Sequence, residues 1–200
     1  MGGRGGAPHF EDLLCSGFGR PRGFGYDARL MRILGIDPGL QLTGYGVIDW
    51  QWLHPKLIDG GVIRLKAKTS IAARLVELER ELEEIIQEHH PEVCAVEQLY
   101  SHYAHPRTSI LMGHARGVIL LVAQRNGLQL VELAANRVKQ SVVGAGHASK
   151  LQVQRTIQAI WQLKELPNPP DVADALAIAL AAGRQLPETP GHGSAATGNK

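Results

Sequence analysis

Cysteine is nearly absent from this chain, with only Cys15 and Cys94 in 200 residues. Cys15 lies in a Gly-rich segment and Cys94 inside an apolar strand pattern, a setting that suggests neither a disulfide framework nor a zinc site. A reducing compartment fits best, and the expected location is cytoplasmic. Long apolar runs are missing too. No stretch approaches membrane-spanning length without interruption, so a soluble protein with no membrane partner is expected. Acid is scarce between Leu99 and Lys164, where Glu132 is the only carboxylate against eight Lys or Arg. The net charge of +2 conceals this segregation, because Glu77, Glu79, Glu81, Glu83, Glu84 and Glu88 crowd the preceding segment. One part reads as a solvated acidic helix. The other reads as a basic face of the kind that tracks phosphates, or as basic residues scattered over the surface.

What is present suffices for one domain. A chain that is 44% hydrophobic and 20% charged at this length has room for a real core and some loose ends. Residues 1–30 are rich in Gly and Arg and lack periodicity, so they read as a flexible extension. An apolar signal-peptide core is missing there, and Glu11, Asp12 and Asp27 speak against an Arg-rich transit peptide. Met31 stands immediately before the first strand. The simplest expectation is that translation starts there, which the mass of the native protein would test. The domain is expected over residues 31–183, followed by a Gly-, Pro- and Ser-rich tail from Gly183 onward, over residues 184–200.

The run Ile33, Leu34, Gly35, Ile36, Asp37, Pro38, Gly39 is an apolar strand ending on a forced turn. This puts the Asp37 carboxylate at a strand tip, displayed rather than buried. An isolated Asp-Pro-Gly is also an ordinary hairpin turn. Thr43 to Ile48 alternates as a second strand, and its glycines would let something pack close to the backbone. Leu57 to Leu65 is a third strand, with Gly60 and Gly61 as a bulge or twist point. Ile71, Leu75, Leu78, Leu82, Ile85 and Ile86 recur at helical spacing behind Thr69 and Ser70 as caps, and Pro91 closes the helix. Glu92 to Glu97 is another short apolar strand that ends on a carboxylate, repeating the pattern of Asp37.

The loop from Gln98 to Arg107 holds Tyr100, His102, Tyr103, His105 and Arg107. Rings beside cations suit stacking on unpaired bases and gripping phosphates. With His114 these histidines also invite a zinc reading, but their spacing matches no usual ligand pattern. Thr108 to Asn126 reads as a helix whose Gly113, Ala115 and Gly117 permit close packing, and Leu128 to Glu132 as a fifth strand. Helices over Ala134 to Val143 and Lys150 to Gln162 follow, the second with a capping box from Ser149 and Gln152. Lys139 and Lys150 flank the turn Gly144, Ala145, Gly146, His147, which is either a phosphate seat or a plain helix connection. Asp171 and Asp174 lie three apart at the start of an alanine-rich helix, so both face one way. They also suit that helix as caps and dipole partners.

Carboxylates thus end strands one and four and begin the last helix. Gathered in one place they would repel, and the usual remedy is a hard divalent cation with oxygen ligands. A two-metal phosphoryl-transfer site is the reading that follows, with one ion activating water and the other stabilising the leaving 3′ oxygen.

The runs ILGIDPG, TGYGVI, VEQ, HARG, ANRVKQSVVGAGHASKLQVQ and DVADALAIA occur in that order between Met31 and about Gly183. Together they resemble the RuvC family of bacterial Holliday-junction resolvases. The resemblance implies an α/β fold similar to ribonuclease H, a five-stranded mixed sheet flanked by helices. It also implies a homodimer that nicks two opposing strands of four-way junction DNA with two Mg²⁺ per site, for which Mn²⁺ substitutes, leaving 5′-phosphate and 3′-hydroxyl ends. RuvA and RuvB, the branch-migration proteins, are implied partners. By position, Asp37, Glu97, Asp171 and Asp174 become the catalytic, metal-binding tetrad. Lys139 and Lys150 match lysines that contact DNA, and Tyr100 matches an aromatic residue that stacks near the junction point. Arg107 and Arg116 join them as expected DNA contacts. His114, His147 and the loop from His102 to Arg107 depart from the family pattern, which leaves the details of junction contact open. Two rival readings stand beside this one. A catalytically silent junction-binding or RNA-processing relative has the same fold, and an actin-like ATPase shares the hairpin but needs two such domains, for which this chain is too short.

Overall fold

A computed structural model describes residues 30–39, 41–51, 54–99 and 106–186. Strands β1 (Met31–Asp37), β2 (Leu42–Trp50) and β3 (Lys56–Arg64) form an antiparallel meander. Helix α1 (Ile71–His89) returns the chain to β4 (Val93–Glu97), which pairs with β1 in parallel, and α2 (Pro106–Arg125) leads to β5 (Gln129–Leu133), parallel to β4. Helices α3 (Ala135–Val143), α4 (Lys150–Trp161) and α5 (Pro170–Gln185) complete the domain. The sheet order is β3-β2-β1-β4-β5. This is the five-stranded mixed sheet expected from the sequence.

Strand alternation sorts the core into two layers. Ile33, Val93, Ala95 and Leu133 face α3, α4 and α5, whereas Leu34, Ile36, Cys94 and Val96 face α1 and α2. Burial raises the Cys94 thiol pKa to about 12, which leaves it an inert apolar side chain. Helix α5 is buried from Ala175 through Gly183, an alanine-rich surface that lets the helix axis come close to the sheet. The close partner anticipated by the strand glycines is this helix. A Cβ on Gly35 would overlap the Ala175 carbonyl oxygen, and one on Gly44 the Asp171 carbonyl oxygen. Glycine in β1 and β2 therefore sets how deep α5 sits.

Several expectations need correction. The irregularity in β3 is at Ile58, because Val47 pairs with Asp59 and Ile48 with Leu57, while Gly60 and Gly61 stay in register. Gly61 instead makes room for the Tyr45 ring, whose hydroxyl lies 2.8 Å from where a Cβ would be. Within the protomer, of the small residues on α2 only Ala115 packs. Gly113 and Gly117 lie on the outer face, because residues four apart share it while Ala115, Ile119 and Val122 share the inner one. Ser70 caps α1, accepting from the Ala73 amide at 3.2 Å, whereas Thr69 donates to the Lys66 carbonyl in the preceding turn. The chain from Gly183 does not begin as a tail. Helix α5 continues to Gln185 and Leu186 is buried, since Gly183 lies against the Trp50 ring. No helix among the described residues is long and apolar enough to cross a membrane.

Candidate active site

Alternation along the strands decides where the two strand-tip carboxylates point. Asp37 follows Ile33 and Gly35 on the α5 side of β1, and Glu97 follows Val93 and Ala95 on the α5 side of β4. The parallel register pairs Ile36 with Val96, so the next residues, Asp37 and Glu97, end their strands at one level. Helix α5 starts above this edge, with Asp171 in its first turn and Asp174 one turn further along the same face. Pro170 opens the helix and Ser149 closes a capping box on α4, which brings Lys150 to the same edge.

Asp37 is not displayed, as the Asp-Pro-Gly turn suggested, but half-buried, because α5 lies across the end of β1. Burial pushes its pKa from 3.8 up to about 7, and the charges of Asp174, Glu97 and Asp171 add to the effect while Lys150 opposes it. Burial also raises the Glu97 pKa, reinforced by Asp174 and opposed by Lys139 and Lys150. Asp174 is raised by burial, with Lys150 as the main opposing charge. Burial lowers the Lys150 pKa, but Asp174, Asp171 and Asp37 outweigh it, and the net direction is upward. The Lys150 Nζ stands 3.4 Å from Asp174 Oδ2. Four residues far apart in sequence therefore form one electrostatic unit, with Lys150 and Lys139 beside it.

The donors are all carboxylate oxygens, the type that hard divalent cations select. Their excess of negative charge over the two lysines is itself a cation-binding feature, and the residues fit such a group by chemistry. Among the described residues no three ligand side chains already converge as a metal cage.

The other sequence candidates fall in different places. Arg116 is mostly buried, donating through Nε to the Glu97 carbonyl oxygen at 3.3 Å and pairing with Glu132 on β5. Its guanidinium is thus engaged within the protein, bracing the strand end that carries Glu97. Glu132 escaped the sequence reading as a partner, although its isolation in a basic segment was the available signal. Arg107 lies in the first turn of α2. His114 and His147 are exposed. Tyr100, with the neighbouring His102, Tyr103 and His105, lies outside the described residues.

A mixed sheet of this order flanked by helices is a ribonuclease H-like fold, and carboxylates gathered at one edge of it suit the chemistry of a metal-dependent phosphodiester nuclease. The model of the family described as "Crossover junction endodeoxyribonuclease RuvC" matches residues 33–182. Proteins of that name from Rhodopirellula baltica and Heliobacterium modesticaldum are each 44% identical to this chain. They match over 79% and 78% of it and over 88% and 96% of their own lengths, respectively. The solved structure of Thermus thermophilus RuvC in complex with a Holliday junction substrate is similar at 32% identity and a TM-score of 0.70, covering 76% of this chain and 92% of that one. The yeast mitochondrial Holliday junction resolvase Ydc2, at 16% identity and a TM-score of 0.57, shares the fold over 78% of each chain. The chain belongs to the RuvC family of crossover junction endodeoxyribonucleases, a family of metal-dependent nucleases.

Proposed function

We propose that this protein resolves four-way DNA junctions as a homodimer, each protomer nicking one of two opposing strands to leave 5′-phosphate and 3′-hydroxyl ends. The observation that carries this reading is the placement of Asp37 and Glu97 at one level on the tips of adjacent parallel strands, with Asp171 and Asp174 on the helix that crosses them, in a chain of the RuvC family. These four residues would hold two Mg²⁺, or Mn²⁺ in their place. When bound, the ions lower the pKa of the attacking water and stabilise charge on the leaving 3′ oxygen. The chain's own contribution is preorganisation. β1 and β4 are parallel neighbours and α5 is sunk onto glycine, so the carboxylates hold their places at little further entropic cost. Lys139 and Lys150 offset part of the negative charge and offer the approaching strand a positive rim. Arg116 positions Glu97 through its backbone carbonyl. Tyr100 stacks on a base unpaired at the crossover, and Arg107 adds a phosphate contact. RuvA and RuvB, which move the branch point, are the expected partners.

The test is incubation with a synthetic mobile junction, a linear duplex and an RNA-DNA hybrid, each with Mg²⁺ and with EDTA. Symmetric, religatable nicks on the junction alone, dependent on Mg²⁺, are expected. Cleavage confined to the hybrid, or binding to the junction without any nick, would overturn the proposal.

A further inference from the structure

Beside Glu97 the sheet edge continues into a cleft of about 220 Å³ lined by Gln98, Glu132, Leu133, Ala134, Arg137 and Gln185. Its floor is fixed. Glu97 pairs with Leu133 across β4 and β5, and the Gln98 amide donates to the Leu133 carbonyl oxygen at 2.8 Å. Neighbouring strands are about 4.8 Å apart, so the cleft begins roughly one strand spacing beyond the tip of β4 and two beyond Asp37. A strand whose scissile phosphate sits among the carboxylates, and which runs along the sheet edge toward β5, therefore passes over it.

The charge in the cleft is unevenly committed. Glu132 is paired with Arg116. Arg137 is exposed and forms no ion pair among the described residues. Its backbone is nevertheless anchored, since its amide donates to Ala134 at 2.9 Å in the first turn of α3. Lys139, two residues on, lies about 200° further around that helix and acts on Glu97 and Asp174. Helix α3 thus turns one cation toward the carboxylates and another into the cleft, where the side-chain amides of Gln98 and Gln185 add neutral donors. A planar guanidinium with free N–H groups and amides around it suits a phosphodiester oxygen pair.

We propose that this cleft seats a backbone phosphate of the cleaved strand adjacent to the scissile one, held by Arg137 with Gln98 and Gln185, and that it fixes the register of the strand on the carboxylates. The inference rests on the junction-nuclease reading above. It makes Arg137 a residue that positions substrate.

The experiment uses the full-length protein and junctions carrying a single neutral methylphosphonate at successive positions either side of the scissile phosphate, with nicking measured under single-turnover conditions. At one position the neutral linkage is expected to slow the wild type roughly tenfold, the scale of one charge-assisted contact. Arg137→Ala should be slowed by a similar factor on the unmodified junction, suffer no further loss at that position, and melt as the wild type does. Arg137→Gln, which keeps donors but no charge, should behave like the Ala variant toward the methylphosphonate. If the wild type nicks the junction but losses from Arg137→Ala and from every methylphosphonate simply multiply, or Arg137→Ala nicks at the wild-type rate, this inference alone is overturned. A wild type that leaves the junction intact overturns the nuclease reading and this inference with it.

Discussion

Replacing Asp37 by Asn removes the charge this fold accommodates least well. The folded protein holds the Asp37 proton up to about pH 7, above all because of burial, whereas an unfolded chain releases it near 3.8. The unfolded state therefore binds fewer protons between those values, and stability falls as pH rises through the window. The cost is absent well below pH 3.8 and complete above pH 7. At 1.36 kcal/mol per pH unit the window corresponds to an upper limit of roughly 4 kcal/mol. That shift is already net of the attraction of Lys150, and water reaching the half-buried carboxylate screens part of it, so the gain from Asn is smaller, about 1 to 3 kcal/mol, or roughly 3 to 10 °C in Tm for a domain of this size. Thermal unfolding of both proteins in EDTA across pH 4 to 8.5 measures it. Asp37→Asn should be the more stable protein at pH 8.5, the gap should close toward pH 4, and Mg²⁺ should narrow it by stabilising the wild type. Cleavage should be lost while junction binding stays near normal. A variant no more stable than the wild type at pH 8.5, or a gap that ignores pH, would refute the electrostatic account.

Two further outcomes follow from the geometry. Gly44→Ala drives a Cβ into the Asp171 carbonyl oxygen. It should cost about 1 to 3 kcal/mol in urea unfolding and more in cleavage than in junction binding, because the start of α5 is what moves. Lys139→Ala and Lys150→Ala should each weaken junction binding and lower the slope of log K against log salt by roughly one, and an unchanged slope would place that lysine away from the DNA.

The local sequence determined the elements and their order. The apolar run into Asp-Pro-Gly, its echo at Glu97, the helical spacing from Ile71 to Ile86 and the Ser149–Gln152 box all report short-range physics, and the strands and helices they mark formed where expected, with the first and last helices running about one turn further. The positions of Asp37, Glu97, Asp171 and Asp174 at two strand ends and a helix start were legible for the same reason, because such ends are marked by turn and capping residues. What only the tertiary structure decided is who approaches whom. Nothing near Gly113 or Gly117 says which helix face meets the sheet, and it is Ala115 between them that turns to it. Asp37 looked exposed from its turn and became half-buried because α5, more than 130 residues later, crosses its strand. Arg116, expected as a DNA contact, has Glu132 as a partner only because β5 places that carboxylate against it. Burial and Coulomb coupling depend on distances between segments far apart in the chain, and no periodicity of 2 or 3.6 residues carries that information.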